Sequence, residues 1–351
     1  MSSERPLSIL HILEKNRFNT GSVHQMFQAA KGLAGRGHRV GVVSRSGGEL
    51  ESRCASAGLD FIPLPLRNEF DLGSARQLSR ILADRNVDVV HVHKVSFPLD
   101  PWMRPKYKLR RIHKVVTVCE DIRKVIIASG KLPPDKVRVV YAGVDLELFD
   151  PGKVDGTTIR REFSIPADAF LICQIGAREW KGWRYLIEAM PEIVRSNPKA
   201  HLLLVACKNG EQIIEVKAYA EKFGVGGQVT PVGFRSDVPA LSAALDVALD
   251  LSYEGLGVTG TLREAMAMNK PCVCSNAGGN PELVLDQKTG FLVEPKSASA
   301  AARAIIALAG DPEKCRRFGL AGRKRVEEGF SSEIRITRLE QLYREVLATG
   351  R

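Results

Sequence analysis

The chain has 351 residues, 44% of them hydrophobic and 26% charged, which is material for two cores because single cores stop growing near ~250–300 residues. Its formal net charge of +11 points to an anionic partner without choosing among phosphorylated substrate, acidic lipid and nucleic acid. No apolar run approaches the ~20 residues that span a bilayer, and the opening MSSERPLSIL is too short and polar for a signal peptide. Seven cysteines without zinc-type spacing fit reduced thiols, with Cys272 and Cys274 as small core hydrophobes, so a cytoplasmic location is expected.

LSILHIL (7–13) reads as a strand, VHQMFQAAKGLAGRGH as a helix with a glycine stop, and RVGVVSR (39–45) as the next strand. This is a βαβ unit, so a parallel sheet is being wound. LDFIPLPL (59–66), the helical SARQLSRILADRN (74–86) and VDVVHVH (87–93) continue it. A basic helical stretch, PWMRPKYKLRRIH, precedes strand KVVTVC, helix EDIRKVIIASG and strand KVRVVYAGVD (136–145). FDPGKVDGTTIRREFSIPADA (149–169) is rich in Gly, Pro and charge and is the expected linker.

From Phe170 the alternation resumes with FLICQIGA, WRYLIEAMPEIVRSN, HLLLVAC, EQIIEVKAYAEKFG, QVTPVG, DVPALSAA and DVALDLS. PCVCS (271–275), PELVLDQ, TGFLVEP and two terminal helices follow. The expected organisation is an N-terminal domain over 1–150, a linker over 151–168, a second domain over 169–331 and a last helical segment over 332–351. In doubly wound sheets ligands sit beyond the carboxyl ends of the strands, so the crevice between the halves is the expected place of chemistry.

The stretch YEGLGVTGTLREAM (253–266) runs from a strand end into a helix. Gly255, Gly257 and Gly260 let backbone amides approach a ligand, and Thr259 or Thr261 is the expected N-cap. A loop of this kind leading to a helix start binds phosphate through free N–H groups and the helix dipole. Glu264 could accept hydrogen bonds from vicinal hydroxyls such as those of a ribose, and Glu254 from a group beyond the phosphate. The alternative is a first-turn acid favoured by the dipole and a solvated loop residue.

NAGGNPELV repeats the device, with Gly278 and Gly279 at a strand end, Asn280 as N-cap, Pro281 at N1 and Glu282 in the first turn. In isolation it is only a well-capped helix. Arg178 and Lys181, after the first strand of the same half, could neutralise a diphosphate or simply open a solvated helix. His91 and His93 alternate with valines and share one sheet face, where they line the cleft or cover the sheet. Asp246 and Asp250 read as structural, no DxD pair argues for a metal, and no cofactor beyond a nucleotide diphosphate sugar as co-substrate is expected.

These residues occur in an ordered set. ILHIL…NTGSVHQMFQAAKGLAGRGHRVGVVS, VTVCEDIRKVIIASGKLPPDKVRVVYAGVDLELFDP, GAREWKGWRYLIEAMPEIVRSNPKAHLLLV and YEGLGVTGTLREAMAMNKPCVCSNAGGNPELVLDQKTGFLVEP run nearly end to end. The chain thereby resembles the family 4 retaining glycosyltransferases of group 1 type. The resemblance implies the α/β fold called GT-B, two Rossmann-like doubly wound parallel-sheet domains facing a central cleft, with the last helix crossing back to the first domain. It implies hexose transfer from a UDP- or GDP-sugar to a saccharide or lipid-linked acceptor, with retention, in lipopolysaccharide or polysaccharide synthesis of the cell envelope.

The resemblance further implies that Arg178 and Lys181 hold the diphosphate and Glu264 the ribose. Glu254 and the loop through Gly255, Leu256, Gly257, Val258 and Thr259 would meet the donor sugar. Glu254, Arg178 and Lys181 are the expected catalytic set, and Gly21 and Ser22 would face the phosphates from the first domain. No side chain need act as nucleophile, because in this family's expected mechanism the leaving diphosphate assists deprotonation of the acceptor.

The chain departs from the family in two places. Nine residues separate Glu254 from Glu264, two more than usual, and the excess falls in the glycine loop. After Lys94 a βα unit of roughly 30 residues is missing, which opens the alternative of a non-catalytic nucleotide-sugar-binding protein. The basic residues of 102–114, with Trp102 and Tyr107, suit peripheral contact with an anionic membrane or are a solvated helix. Nucleic-acid binding is not expected, since no recognition motif accompanies the charge, and a dinucleotide dehydrogenase is disfavoured by the lack of G-x-G-x-x-G after either first strand.

Overall fold

The computed structural model describes residues 5–18, 20–67, 71–93, 107–255 and 257–349. They divide into two compact units, one of residues 1–116, 126–143 and 332–351, the other of 117–125 and 144–331.

In the first unit, strands β1 (Ser8–Ile12), β2 (Arg39–Ser44), β3 (Asp60–Pro63) and β4 (Val89–Val92) form a parallel sheet in the order β3-β2-β1-β4. Short strands β5 (Val115–Thr117) and β6 (Val137–Val139) pair separately. Helix α1 (Gly21–Gly35) buries Val23, Met26, Ala29, Ala30 and Leu33, the three-and-four spacing of an amphipathic helix. Its apolar stripe meets Ile336, Leu339, Leu342 and Tyr343 of the last helix, Ser332–Thr349, in one core. Each such large side chain contributes roughly 1.5–3 kcal/mol on burial.

The register of β1 on β4 sets His11 opposite His91. With His93 two residues on, three imidazoles stand on one sheet face under the last helix. His91 and His93 stack at 4.1 Å between ring centroids, His11 Nδ1 is 2.8 Å from His93 Nε2, and His91 Nδ1 is 2.6 Å from the Tyr343 hydroxyl. The two histidines whose alternation allowed either cleft or sheet cover are therefore packed beneath a helix.

In the second unit, β7 (Phe170–Ile175), β8 (Ala200–Val205), β9 (Val229–Pro231), β10 (Val247–Asp250), β11 (Cys272–Ser275) and β12 (Gly290–Val293) form a parallel sheet in the order β12-β11-β10-β7-β8-β9. The winding runs outward through β8 and β9, then returns to start again at β10. The topological switch therefore falls between β7 and β10, where a doubly wound sheet opens a crevice at its carboxyl edge. Leu186, Ile187, Met190 and Ile193 of helix Trp183–Ser196 share one core with Ile172, Leu202, Leu204 and Val247 of the sheet. Cys272 and Cys274 are buried in β11, where burial pushes both thiols up.

Three expectations change. Residues 151–168, read as a linker, carry a helix, Thr157–Glu162, fastened inside the second unit by the buried Ile159 and by Arg160, which bonds to the Ala244 carbonyl and to Asp246. Of the basic stretch, Trp102, Arg104 and Lys106 lie outside the described residues, and 108–113 form turns and coil rather than helix. Lys108, Leu109, Arg110 and Arg111 are all exposed there, so no apolar stripe supports a helix. The helix expected over PELVLDQ is a single turn, Asn280–Leu283.

Candidate functional site

The site assembles at the carboxyl ends of β7, β10 and β11, within the second unit. The buried Gln174, near the end of β7, ties the first two of these loops together. Its side-chain nitrogen donates to the carbonyls of Gly176 (3.1 Å) and Lys181 (3.0 Å), and its oxygen accepts the Leu251 amide (3.2 Å). Gly182 follows with φ +73°, and a side chain there would run into the Leu251 carbonyl, so only glycine closes the loop this tightly against β10.

The loop from Gly176 to Gly182 presents the two expected cations differently. Arg178 is exposed, with its guanidinium 5.8 Å from the Trp180 ring centroid. Lys181 is turned inward, with Nζ 2.5 Å from Asp250 Oδ2 and 5.2 Å from the Trp180 ring. Asp250 is fully buried at the end of β10, and its other oxygen accepts the Ser252 amide at 3.1 Å. Asp250, read from sequence as a structural strand residue, is thus the counter-ion of Lys181.

Trp180, which sequence reasoning passed over, joins this loop to the glycine loop. Its carbonyl accepts the Tyr253 amide at 3.0 Å, and its ring lies over Gly255, whose φ is +90° and where a Cβ would stand 3.0 Å from the ring. Arg178, Lys181 and Gly255 are brought together around this ring, and the exposed Glu254 precedes Gly255 in the same loop. Leu256 lies outside the described residues. Gly257 borders Val118, and a Cβ on Gly279 would meet the Val258 nitrogen at 2.8 Å, so the loop after β11, which also carries Gly278, packs on the glycine loop.

The helix after the glycine loop is Gly260–Ala267, with Thr259 at its N-cap. Thr259 makes no side-chain cap bond to it. Its hydroxyl donates instead to Asn280 Oδ1 at 3.0 Å, and the Asn280 amide donates to the Ser275 carbonyl at 3.4 Å. Asn280 therefore ties two loops and is not an N-cap. Glu282 is not poised toward a ligand either, since its carboxylate accepts the amides of Glu120 (2.8 Å) and Asp121 (3.0 Å), capping the helix that starts there. The expected pair of helix dipoles reduces to one helix of two turns and one short turn, which carries little dipole.

Glu264 stands in the first turns of Gly260–Ala267, where burial pushes its carboxyl up and the neighbouring Arg263 pulls it down. Buried polar atoms without a hydrogen-bond partner recur in this helix and at the strand ends on either side of it in sequence: Arg263 Nε and Nη1, Thr261 Oγ1, and the hydroxyls of Ser252 just past β10 and Ser275 at the end of β11. Natural cores leave few such groups unpaired, and five of the unpartnered buried atoms among the described residues fall at this sheet edge.

The remaining candidates belong to the first unit. Gly21 and Ser22 open α1, where Ser22 Oγ is 3.1 Å from Thr20 Oγ1. His11, His91 and His93 offer three ring nitrogens within 4.8 Å of one another, spacing that would suit a metal. The rings already bond to each other and to Tyr343, however, and the positive charge of Arg335 bears on all three, so His11, buried, and His91 and His93, half-buried, form a stack whose surroundings disfavour the protonated form. Burial first, then Arg335, holds His91 down to about 4.

Unfolded histidine titrates near ~6.5. The unfolded chain therefore takes up a proton on acidification before the native state does, and stability present above pH ~6.5 is lost as pH falls toward ~4. His91 alone contributes a loss on the order of 3 kcal/mol. Denaturant unfolding across this range is expected to show the slope in the wild type and a flatter one in His91→Gln; equal slopes would refute the account.

Residues 155–325 match the family of glycosyl transferases group 1, and residues 20–102 match glycosyltransferase family 4. Among curated proteins, the chain is 30% identical over 273 residues to the GDP-mannose-dependent alpha-(1-6)-phosphatidylinositol monomannoside mannosyltransferase of Mycolicibacterium smegmatis, covering 74% of this chain and 70% of that one. Among solved structures, a glycosyltransferase from Rickettsia africae superposes with a TM-score of 0.87 at 22% identity, over 99% of this chain and 100% of the other. Anabaena HepE in complex with UDP does so with a TM-score of 0.82 at 17% identity, over 97% and 100%. With a switch-point corner of cations and carboxylates in a doubly wound second unit, and these matches along both halves, the chain belongs to the group 1 glycosyl transferases and is a glycosyltransferase of the family 4 type with the GT-B fold.

Proposed function

We propose that the protein moves a hexose from a UDP- or GDP-sugar to a saccharide or lipid-linked acceptor, with retention, in envelope lipopolysaccharide or polysaccharide synthesis. The observation that carries this reading is the meeting of Arg178, Lys181 and the glycine loop around Trp180, beside a helix start with unpartnered polar groups. It is supported by the relative named for GDP-mannose and the neighbour solved with UDP.

In this reading Glu264 accepts hydrogen bonds from the ribose, Lys181 and Arg178 stabilise charge on the departing diphosphate, and Glu254 and the amides from Gly255 to Thr259 orient the sugar. Catalysis is then positioning plus electrostatic stabilisation, with the leaving oxygen assisting deprotonation of the acceptor. A cytoplasmic protein touching anionic lipid through Lys108, Arg110 and Arg111 fits the lipid-linked acceptor. Among the described residues no helix is long and apolar enough to cross a membrane.

Mass-spectrometric screening of nucleotide sugars, with and without a panel of saccharide and lipid-linked acceptors, tests the reading. One donor is expected to be consumed to its nucleoside diphosphate; a protein that binds and consumes none would refute it. The sheet of the first unit has four strands among the described residues, which favours a second reading, a nucleotide-sugar-binding protein without turnover. Donor binding with no consumption over the whole panel would select it.

A further inference from the structure

We infer that Arg263 is a ligand of the donor's diphosphate, a role distinct from those of Arg178 and Lys181. Its side chain is nearly sealed from solvent, with 3% of the residue exposed, and Nε and Nη1 have no hydrogen-bond partner. Among the described residues it makes no ion pair, and its neighbour Glu264 is not bonded to it. A buried, unpaired guanidinium is a costly arrangement. Folding tolerates it where a bound anion completes it.

The geometry says where that anion lies. A Cβ on Gly260 would stand 3.6 Å from Arg263 Nη2 and 3.9 Å from Glu264 Oε1, so both groups reach back over the first residue of the helix. Helical side chains lean toward the N-terminus, which carries the guanidinium to the end where amides lack acceptors. Thr259 leaves that end uncapped by directing its hydroxyl to Asn280, and glycine at 260 keeps the approach open. Free amides and a planar fork of donors around one point are the recognition chemistry of a phosphoryl group.

Charge points the same way. Lys181 is already neutralised by Asp250 at 2.5 Å, whereas the charge of Arg263 has no bonded counter-ion among the described residues. A diphosphate brings the negative charge that this corner lacks. With Glu264 on the adjacent residue, ribose and phosphate contacts would come from consecutive positions of one helix turn.

The inference rests on the donor reading, and the test separates the two. Binding of UDP, GDP, uridine and guanosine is measured by calorimetry on the full chain, for wild type, Arg263→Met and Arg263→Lys. Wild type is expected to bind UDP or GDP, Arg263→Met to weaken that nucleotide by roughly tenfold or more with the matching nucleoside unchanged, and Arg263→Lys to fall between. If Arg263→Met does not fold, the ratio of nucleotide to nucleoside affinity in Arg263→Lys decides alone. Wild type binding neither nucleotide would overturn the donor reading and this inference with it. Wild type binding normally while the variants match it, or lose nucleoside and nucleotide affinity by the same factor, would overturn the inference only.

Discussion

Lys181→Ala is expected to cost both activity and stability, and a second change, Asp250→Leu, to restore only the stability. Lys181 Nζ sits 2.5 Å from the carboxylate of a residue with no exposure. Removing the lysine leaves Asp250 charged and buried, a loss of about 3 kcal/mol, whereas replacing both partners by apolar groups is close to neutral. If Lys181 contacts the donor diphosphate as proposed, donor turnover should fall by roughly a hundredfold or more in both variants, because the ammonium donor is gone in each. Thermal melts and turnover of the single and double variants check this. A double variant that regains turnover would show that Lys181 serves the fold alone, and a single variant that melts with the wild type would show that the pair carries no stability.

Glu264→Gln should move the same two quantities in opposite directions. Burial raises the Glu264 carboxyl above its ordinary range, so at neutral pH the native state carries the cost of holding a charge out of water. The amide of glutamine has the same shape without that charge, and its melting temperature is expected to equal or exceed the wild type's. In the proposed donor reading the substitution removes charge-assisted bonds to the ribose hydroxyls, so kcat/KM for the donor should drop by roughly ten- to a hundredfold. Unchanged kcat/KM, or a lower melting temperature with unchanged kcat/KM, would remove Glu264 from the donor site.

Much of the architecture was legible because it is local. The three-and-four spacing of α1 and of Trp183–Ser196, the short apolar runs of β7, β8 and β10, and the glycine loop before Gly260–Ala267 all express backbone preferences over a few neighbours. The segment 151–168 misled because composition records polarity and glycine content but not that Arg160 finds partners at Ala244 and Asp246 while Ile159 is buried beside it. Asn280 misled in a similar way. It has the chemistry of an N-cap, yet the groups that meet its amide are the Thr259 hydroxyl of the glycine loop and the Ser275 carbonyl at the end of β11.

By itself, the order of residues determined the strand and helix alternation, the family, and the types of group available at each strand end, since these depend on periodicity and on runs of adjacent residues. Tertiary structure alone decided which groups are committed and which are free to bind. It paired Lys181 with Asp250, 69 positions apart, brought His11 to His91 and His93 across β1 and β4, laid Trp180 over Gly255, and buried Arg263 without a hydrogen-bond partner for Nε or Nη1. Pairing and desolvation depend on distances through space, and those are set by how the sheet winds and closes rather than by any stretch of chain.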